Sequence, residues 1–272
     1  MDKKELRQAI RDLPPMNPPG DYPRFTWIRR QAEIREKILN DDPSLFLTWP
    51  IVHEALFVGD SPQANMELDE LKKDGWWRWQ RGIRETTFGA PTRMKAWEDA
   101  SGQMVHQAYI LKQWEDKAGK RVEDDARAIL EFGGGYGSMA RLCYQLGFEG
   151  VHVIYDLPEL SWLQHYYCSQ TGVPRVFIYW KPEWFEQVVC SITYDLFIAA
   201  CSLSEVPFEL RDFVLGNVRT RGYVILYQTH FQGLENRSYF EQFAESKPGY
   251  EWFDYEVPGH RLGHRYLVGV ER

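Results

Sequence analysis

The stretch that most constrains the fold is residues 128–137, Ala-Ile-Leu-Glu-Phe-Gly-Gly-Gly-Tyr-Gly. Ile129, Leu130 and Phe132 make a short apolar run that is at once cut off by Gly133, Gly134, Gly135 and Gly137. No Cβ atoms crowd that turn, so another group can approach bare backbone there. Met139, Leu142, Cys143 and Leu146 then recur at helical spacing. The pattern is strand, glycine loop, helix, with the first amides of the helix facing the loop.

The loop excludes two common frames. A phosphate-cradling P-loop needs Gly-Lys-Ser/Thr, and here Ser138 follows Gly137 with no lysine. A G-x-G-x-x-G dinucleotide fingerprint needs a third glycine that Gly133 and Gly135 do not find. The frame present is Glu131-x-Gly133-x-Gly135-x-Gly137, and a second apolar run, 151–155, ends in Asp156. Asp156 lies nineteen residues past Gly137 (156 minus 137), the separation of an acid that binds a ribose hydroxyl pair. Two carboxylates around one loop suit a ligand with cations and hydroxyls and repel a pair of phosphates.

Glu131 to Gly137, followed by Asp156-Leu157-Pro158-Glu159, resembles motif I and the second-strand acid of the class I S-adenosylmethionine-dependent methyltransferases. The sugar O-methyltransferases are the more similar group: a glycine loop, an Asp-Leu-Pro-Glu turn and a later Ser-Leu-Ser-Glu turn, here Ser202 to Glu205, occur in this order. The match runs from about residue 103 to the end, and residues 1–100 carry no recognisable motif. The resemblance implies a Rossmann-like, mostly parallel seven-stranded α/β sheet with a terminal antiparallel pair over 101–272, preceded by an N-terminal helical cap over 1–100. It implies S-adenosyl-L-methionine as cofactor, held by Gly133, Gly134, Gly135, Asp156 and Leu157, with Glu131 at the methionyl ammonium, Tyr179 or Trp180 over the adenine, and Ser202 as a further contact. It implies O-methylation of a sugar or sugar-containing small molecule. A phenol, amine or carboxylate acceptor, or a non-catalytic relative, would keep the same cofactor residues.

Two groups are candidate bases, both at expected carboxyl ends of strands. Glu205 follows the strand 194–200, and His230 ends the strand 222–230. For Ser204 and Glu205 the structural alternative is capping of a helix over 206–218; for His230 it is a hydrogen-bonded loop histidine.

The remaining order is helices at 6–13 and 25–39, an arm of Pro14, Pro15, Pro18 and Pro19, an aromatic segment at 45–57, a helix at 103–114 on which Gln103, His106 and Tyr109 share a face, a third strand at 175–180 and a helix at 182–189. A helix at 234–245 precedes strands at 250–257 and 264–270, joined by the loop 258–263 and therefore antiparallel. The tryptophan-rich segment 75–82 has two readings: a sugar platform with Arg78 or Arg81 on the hydroxyls or a carboxylate, or tryptophans that pin the cap to the main domain.

Net charge is −7 over 272 residues with both signs interspersed, which argues against a nucleic-acid partner held by phosphate contacts. Cys143, Cys168, Cys190 and Cys201 show no C-x-x-C pair and read as reduced core residues; no ligand cluster calls for a metal. No apolar run reaches the roughly 18 residues of a membrane span, so no membrane partner and a cytoplasmic location are the expectations. Homo-oligomerisation stays open.

Overall fold

The computed structural model describes residues 1–15, 26–257, 259–260 and 263–272. Pro18 and Pro19 of the expected arm, Phe25 at the start of the second helix, and Pro258 in the last loop lie outside the described residues.

Seven strands form one sheet: β1 Ala128–Phe132, β2 Val151–Tyr155, β3 Val176–Tyr179, β4 Leu196–Ala200, β5 Gly222–Gln228, β6 Tyr250–Glu256 and β7 His264–Glu271. Their spatial order is β6-β7-β5-β4-β1-β2-β3. The first five pair in parallel, and β7 runs antiparallel to both β5 and β6. This is the Rossmann-like sheet with a terminal antiparallel pair. All five residues of β1 are buried, because helices cover both of its faces. Ile129 enters one core with Met139, Leu142 and Val224, while Leu130 and Phe132 enter the other with Phe197, Tyr223 and Phe240. Each such side chain contributes about 1.5–3 kcal/mol when fully buried.

The chain runs outward from β1 to β3 and then crosses back to β4 on the other side of β1. Strand order reverses there, so the carboxyl ends of β1 and β4 bound a crevice in which ligands bind in open α/β sheets.

Twelve helices are described, and those that frame the crevice are α1 Lys3–Arg11, α2 Thr26–Asn40, α3 Pro50–Ala55, α4 Pro62–Lys73, α5 Trp76–Gly82, α6 Gly102–Ala118, α8 Ser138–Leu146 and α9 Pro158–Thr171. The helix α1 starts at residue 3 because Asp2 and Glu5 form a capping box, satisfying amides at the helix start from both sides. Leu6, Ile10, Ile34, Ile38 and Phe46 pack with Tyr136, Leu160, Leu163 and Tyr167, so the N-terminal helices rest on the glycine loop and α9. Helix α6 lies against β5 and β7. A Cβ at Gly222, the start of β5, would meet Trp114 Nε1 at 2.4 Å, which sets the late turns of α6 at the amino end of β5 and its first turns at the carboxyl end.

Several expected bounds shift. The fifth strand stops at Gln228, and His230 belongs instead to a two-residue hairpin with Glu235. Ser204 is not a helix cap: its hydroxyl donates to Cys201 O at 2.7 Å in a 3-10 turn, and Pro207 takes the N-cap of Phe208–Asn217. A short turn between strand and proline leaves no room for a helix to begin at 206.

Candidate cofactor and acceptor site

The loop after β1 is held open by backbone that only glycine adopts readily. Gly133, Gly135 and Gly137 have φ of 75°, 59° and 94°. Gly133 N donates to Tyr155 O at 2.9 Å, tying the loop to β2. A Cβ at Gly133 would lie 2.3 Å from Ser202 Cβ, and one at Gly134 would lie 2.7 Å from Ile154 Cγ2 and 3.2 Å from Glu131 Oε2. At Gly135 the nearest atom would be Leu56 Cδ2 at 3.9 Å. The loop is therefore pressed on by protein at its first two glycines and bordered by space at the third.

Glu131 is buried at the end of β1, and His152 Nε2 sits 3.0 Å from its Oε2. Asp156, at the end of β2, accepts from Leu157 N at 2.7 Å and from Gln164 Nε2 at 2.6 Å. Gln164 Nε2 also donates to Gly135 O at 3.0 Å, while its Oε1 is buried without a partner among the described residues. Burial pushes the Asp156 carboxyl up to about 7, and the bonds from Leu157 and Gln164 only partly offset it. A half-buried carboxyl, an amide oxygen without a partner among the described residues and a glycine facing space converge on one spot, an acceptor set that fits a ribose hydroxyl pair. His152 and Gln164 were not singled out from sequence. The available signal was a polar residue inside each apolar pattern, 151–155 and the Leu160, Leu163, Tyr167 face of α9.

Across the crevice, Ser202 Oγ donates to Phe132 O, pinning the turn after β4 against β1. Glu205 is buried; its Oε2 accepts from Trp27 Nε1 of α2 at 2.6 Å, and its Oε1 lies 3.3 Å from Gln228 Nε2. Burial raises its pKa against the lowering influence of Trp27, Arg30 and Gln228. A carboxylate with raised affinity for protons at a strand's carboxyl end has the chemistry of a base.

The structure does not bring His230 into this cluster. Its side chain is 75% exposed and its Nε2 contacts Glu235 Oε2 at 2.5 Å. Tyr179 O accepts from Asp156 N at 3.1 Å, so the end of β3 adjoins the acid, and the Tyr179 ring packs on Trp184. The Trp180 ring also packs on Trp184 and lines a surface cleft with α1 and Trp162. Leu157 packs on the core shared with the N-terminal helices.

The tryptophan segment pins helices together. Arg78 is buried, bidentate to Glu115 at 2.7 and 2.8 Å and bonded to Glu123 at 2.5 and 2.6 Å, with its guanidinium over Trp79. Trp79 is core, Trp76 packs edge-on against Trp97, and Arg81 donates to Leu146 O at 2.5 Å. Only Trp77 of the four-residue run is exposed, at 63%. On α6, Gln103 Oε1 accepts from Val58 N and His106 Nδ1 meets Glu67. Among the described residues, no cluster of His, Cys, Asp and Glu has the geometry of a metal site, and no helix is long and apolar enough to cross a membrane.

No family model and no curated protein matches this sequence. Solved structures similar to it include methyltransferases. One is a precorrin-6Y C5,15-methyltransferase from Geobacter metallireducens, 14% identical over 71% of this chain and 98% of that one, with a TM-score of 0.47. Another is an O-methyltransferase family protein from Burkholderia thailandensis, 14% identical over 77% of this chain and 71% of that one, with a TM-score of 0.45. A third is a mitomycin 7-O-methyltransferase, 12% identical over 86% of this chain and 74% of that one, with a TM-score of 0.46. These are similarities of fold at low identity.

Proposed function

We propose that this chain is an S-adenosyl-L-methionine-dependent O-methyltransferase of a small hydroxylated acceptor, a sugar being the first class to test. The observation that carries the reading is the crevice at the reversal of strand order. There the glycine loop, the desolvated Asp156 and the Ser202 to Glu205 turn converge. Asp156 and Gln164 take the ribose hydroxyls, Gly133, Gly134 and Gly135 give backbone approach, Glu131 meets the ammonium end, and Leu157, Tyr179 and Trp180 serve the adenine side. Ser202 holds the turn that faces the loop. The bound cofactor supplies an electrophilic sulfonium methyl group.

The protein's part is to orient the acceptor and manage its proton. Glu205 is the base: it receives the proton of the acceptor hydroxyl as the oxygen becomes nucleophilic, and its buried setting favours the protonated product state. Trp27 and Gln228 fix the carboxylate rotamer. His230, the other candidate, is assigned no role because its ring faces solvent. The helices of residues 1–100 act as a cap that excludes water, which strengthens each polar contact inside. A sugar platform with Arg78 or Arg81 on the acceptor is disfavoured, since both are committed to protein groups.

Calorimetric titration with S-adenosylmethionine, S-adenosylhomocysteine and NAD tests the cofactor. Saturable binding of the first two, absent for NAD and lost in Asp156→Ala, supports the reading; no binding of either sulfur compound sinks it. Glu205→Gln is expected to lower kcat by about 10²–10⁴-fold at unchanged cofactor affinity.

A further inference from the structure

Glu67, fully buried on α4, is clasped from two other segments. Its Oε1 takes His106 Nδ1 of α6 at 2.8 Å and Gln63 Nε2 at 3.0 Å. His260, from the loop between β6 and β7, brings Nε2 to 2.8 Å of the same oxygen without the alignment of a hydrogen bond. Burial opposes ionisation of this carboxyl, but the histidines outweigh it and hold its pKa down to about 2. Beside it the rings of Tyr109, His260 and Tyr266 pack with centroids 5.5 to 6.2 Å apart. Among the described residues, neither Glu67 Oε2 nor the Tyr266 hydroxyl, in a side chain only 1% exposed, has a hydrogen-bond partner. Leaving a buried polar atom unpaired costs about 1–3 kcal/mol, so these orphans around one ring cluster, His260 Nε2 with them, call for an occupant.

Their position is at the candidate crevice. Tyr266 pairs with Leu226, whose carbonyl accepts from Cys201 N, the residue that opens the Ser202 to Glu205 turn. His264 pairs with Gln228, which contacts Glu205. One turn before His106 on α6, Gln103 reaches Val58 N and lies 3.5 Å from Ser138 Oγ at the end of the glycine loop. The knot thus bridges the glycine-loop side and the Glu205 side of the same crevice.

Resting on the methyltransferase reading, we infer that Glu67 Oε2 and the Tyr266 hydroxyl form an acceptor subsite that receives a neutral hydroxyl group, with His106 as the positioning residue that fixes the carboxylate. An ionised carboxylate is acceptor-only, and the phenol can donate or accept, so the pair suits a hydroxyl that gives one hydrogen bond and takes another. A carboxylate or phosphate at that place would be repelled by Glu67.

The test uses the intact chain saturated with S-adenosylhomocysteine, titrated with methyl glycosides and catechols as neutral probes and with the matching uronates and benzoates as anionic ones. A neutral probe binds the wild type and its anionic counterpart does not. Tyr266→Phe weakens that binding at least about tenfold, leaves S-adenosylhomocysteine affinity unchanged, and in the ligand-free chain keeps or raises the unfolding temperature, since it deletes an unpaired buried hydroxyl. Glu67→Gln gives the same loss of probe affinity. The inference is overturned if no neutral probe binds, if anionic probes bind equally well, or if Tyr266→Phe lowers the ligand-free unfolding temperature, which marks the hydroxyl as structural. Failure of wild-type chain to bind S-adenosylhomocysteine is a separate result that removes the proposed function and this subsite together.

Discussion

Asp156→Asn separates what the acid proposed to bind the ribose does for function from what it costs the fold. The carboxyl titrates near 7 in the folded chain against 3.8 for an unperturbed aspartate, so the folded state holds its proton more tightly than the unfolded one. Stability therefore falls as pH rises through this window, and the loss is complete above about pH 7. The shift of about three units corresponds to a penalty of about 4 kcal/mol at pH 8, and of about 2 kcal/mol at pH 5.5, where the folded group is still protonated. Asparagine never pays it, but its single carbonyl oxygen cannot accept from both Leu157 N and Gln164 Nε2, a loss of about 1 kcal/mol. Asp156→Asn is thus expected to stabilise the ligand-free protein by about 3 kcal/mol at pH 8 and by about 1 kcal/mol at pH 5.5, while abolishing cofactor affinity. Urea unfolding of both proteins at the two pH values measures this directly. A stability difference that does not change with pH, or that favours the wild type at pH 8, refutes the reasoning that burial dominates at this carboxyl.

Other substitutions probe the remaining contacts. Gly133→Ala forces a Cβ to 2.3 Å from Ser202 Cβ at a φ of 75°, and is expected to abolish S-adenosylhomocysteine binding in calorimetry and to destabilise by at least about 1–2 kcal/mol. Arg78→Ala strands the buried carboxylate of Glu115 and the half-buried one of Glu123, and a loss of about 3–5 kcal/mol by chemical denaturation is expected. Trp77→Ala removes the exposed member of the same run and should change stability by no more than about 0.5 kcal/mol; a larger loss in the same assay would show that Trp77 packs after all. Trp27→Phe keeps the ring and removes the bond to Glu205, so the pH profile of methyl transfer should shift towards higher pH, since Trp27 lowers the carboxyl's pKa; an unmoved profile would exclude Glu205 as the titrating group.

The local pattern was legible at the glycine loop because few backbones satisfy it: an apolar strand stopped by four glycines and resumed as a helix leaves one supersecondary unit. The Asp156 turn was legible for the same reason, since a second apolar run, 151–155, stops at an acid followed by Leu157-Pro158-Glu159. Helix and strand order follows from hydrophobic period, and so the alternation of β and α elements and the antiparallel close of β6 and β7 could be written down from residues alone. Strand ends were less legible. The fifth strand lost His230 because a Gln-Thr-His sequence reads equally well as strand or hairpin, and the choice was made by Asn236 N donating to Thr229 O and Thr229 N to Gly263 O.

What the sequence determined by itself is therefore what depends on neighbours along the chain: the element order, the glycine loop and the acids that end the first two strands. What only the tertiary structure decided is which distant residues meet. Trp27 reaches Glu205 across 178 positions, His152 reaches Glu131 across 21, and Glu67 draws together α4, α6 and the loop between β6 and β7. The tryptophan segment shows the same division. Its composition allowed either a ligand platform or a pin, and the burial of Arg78 between Glu115 and Glu123 made it a pin. The physical reason is that a side chain's partner is set by the packing of whole helices and sheets, where burial free energies summed over many residues outweigh the preference of any one, and that sum has no signature in a local window.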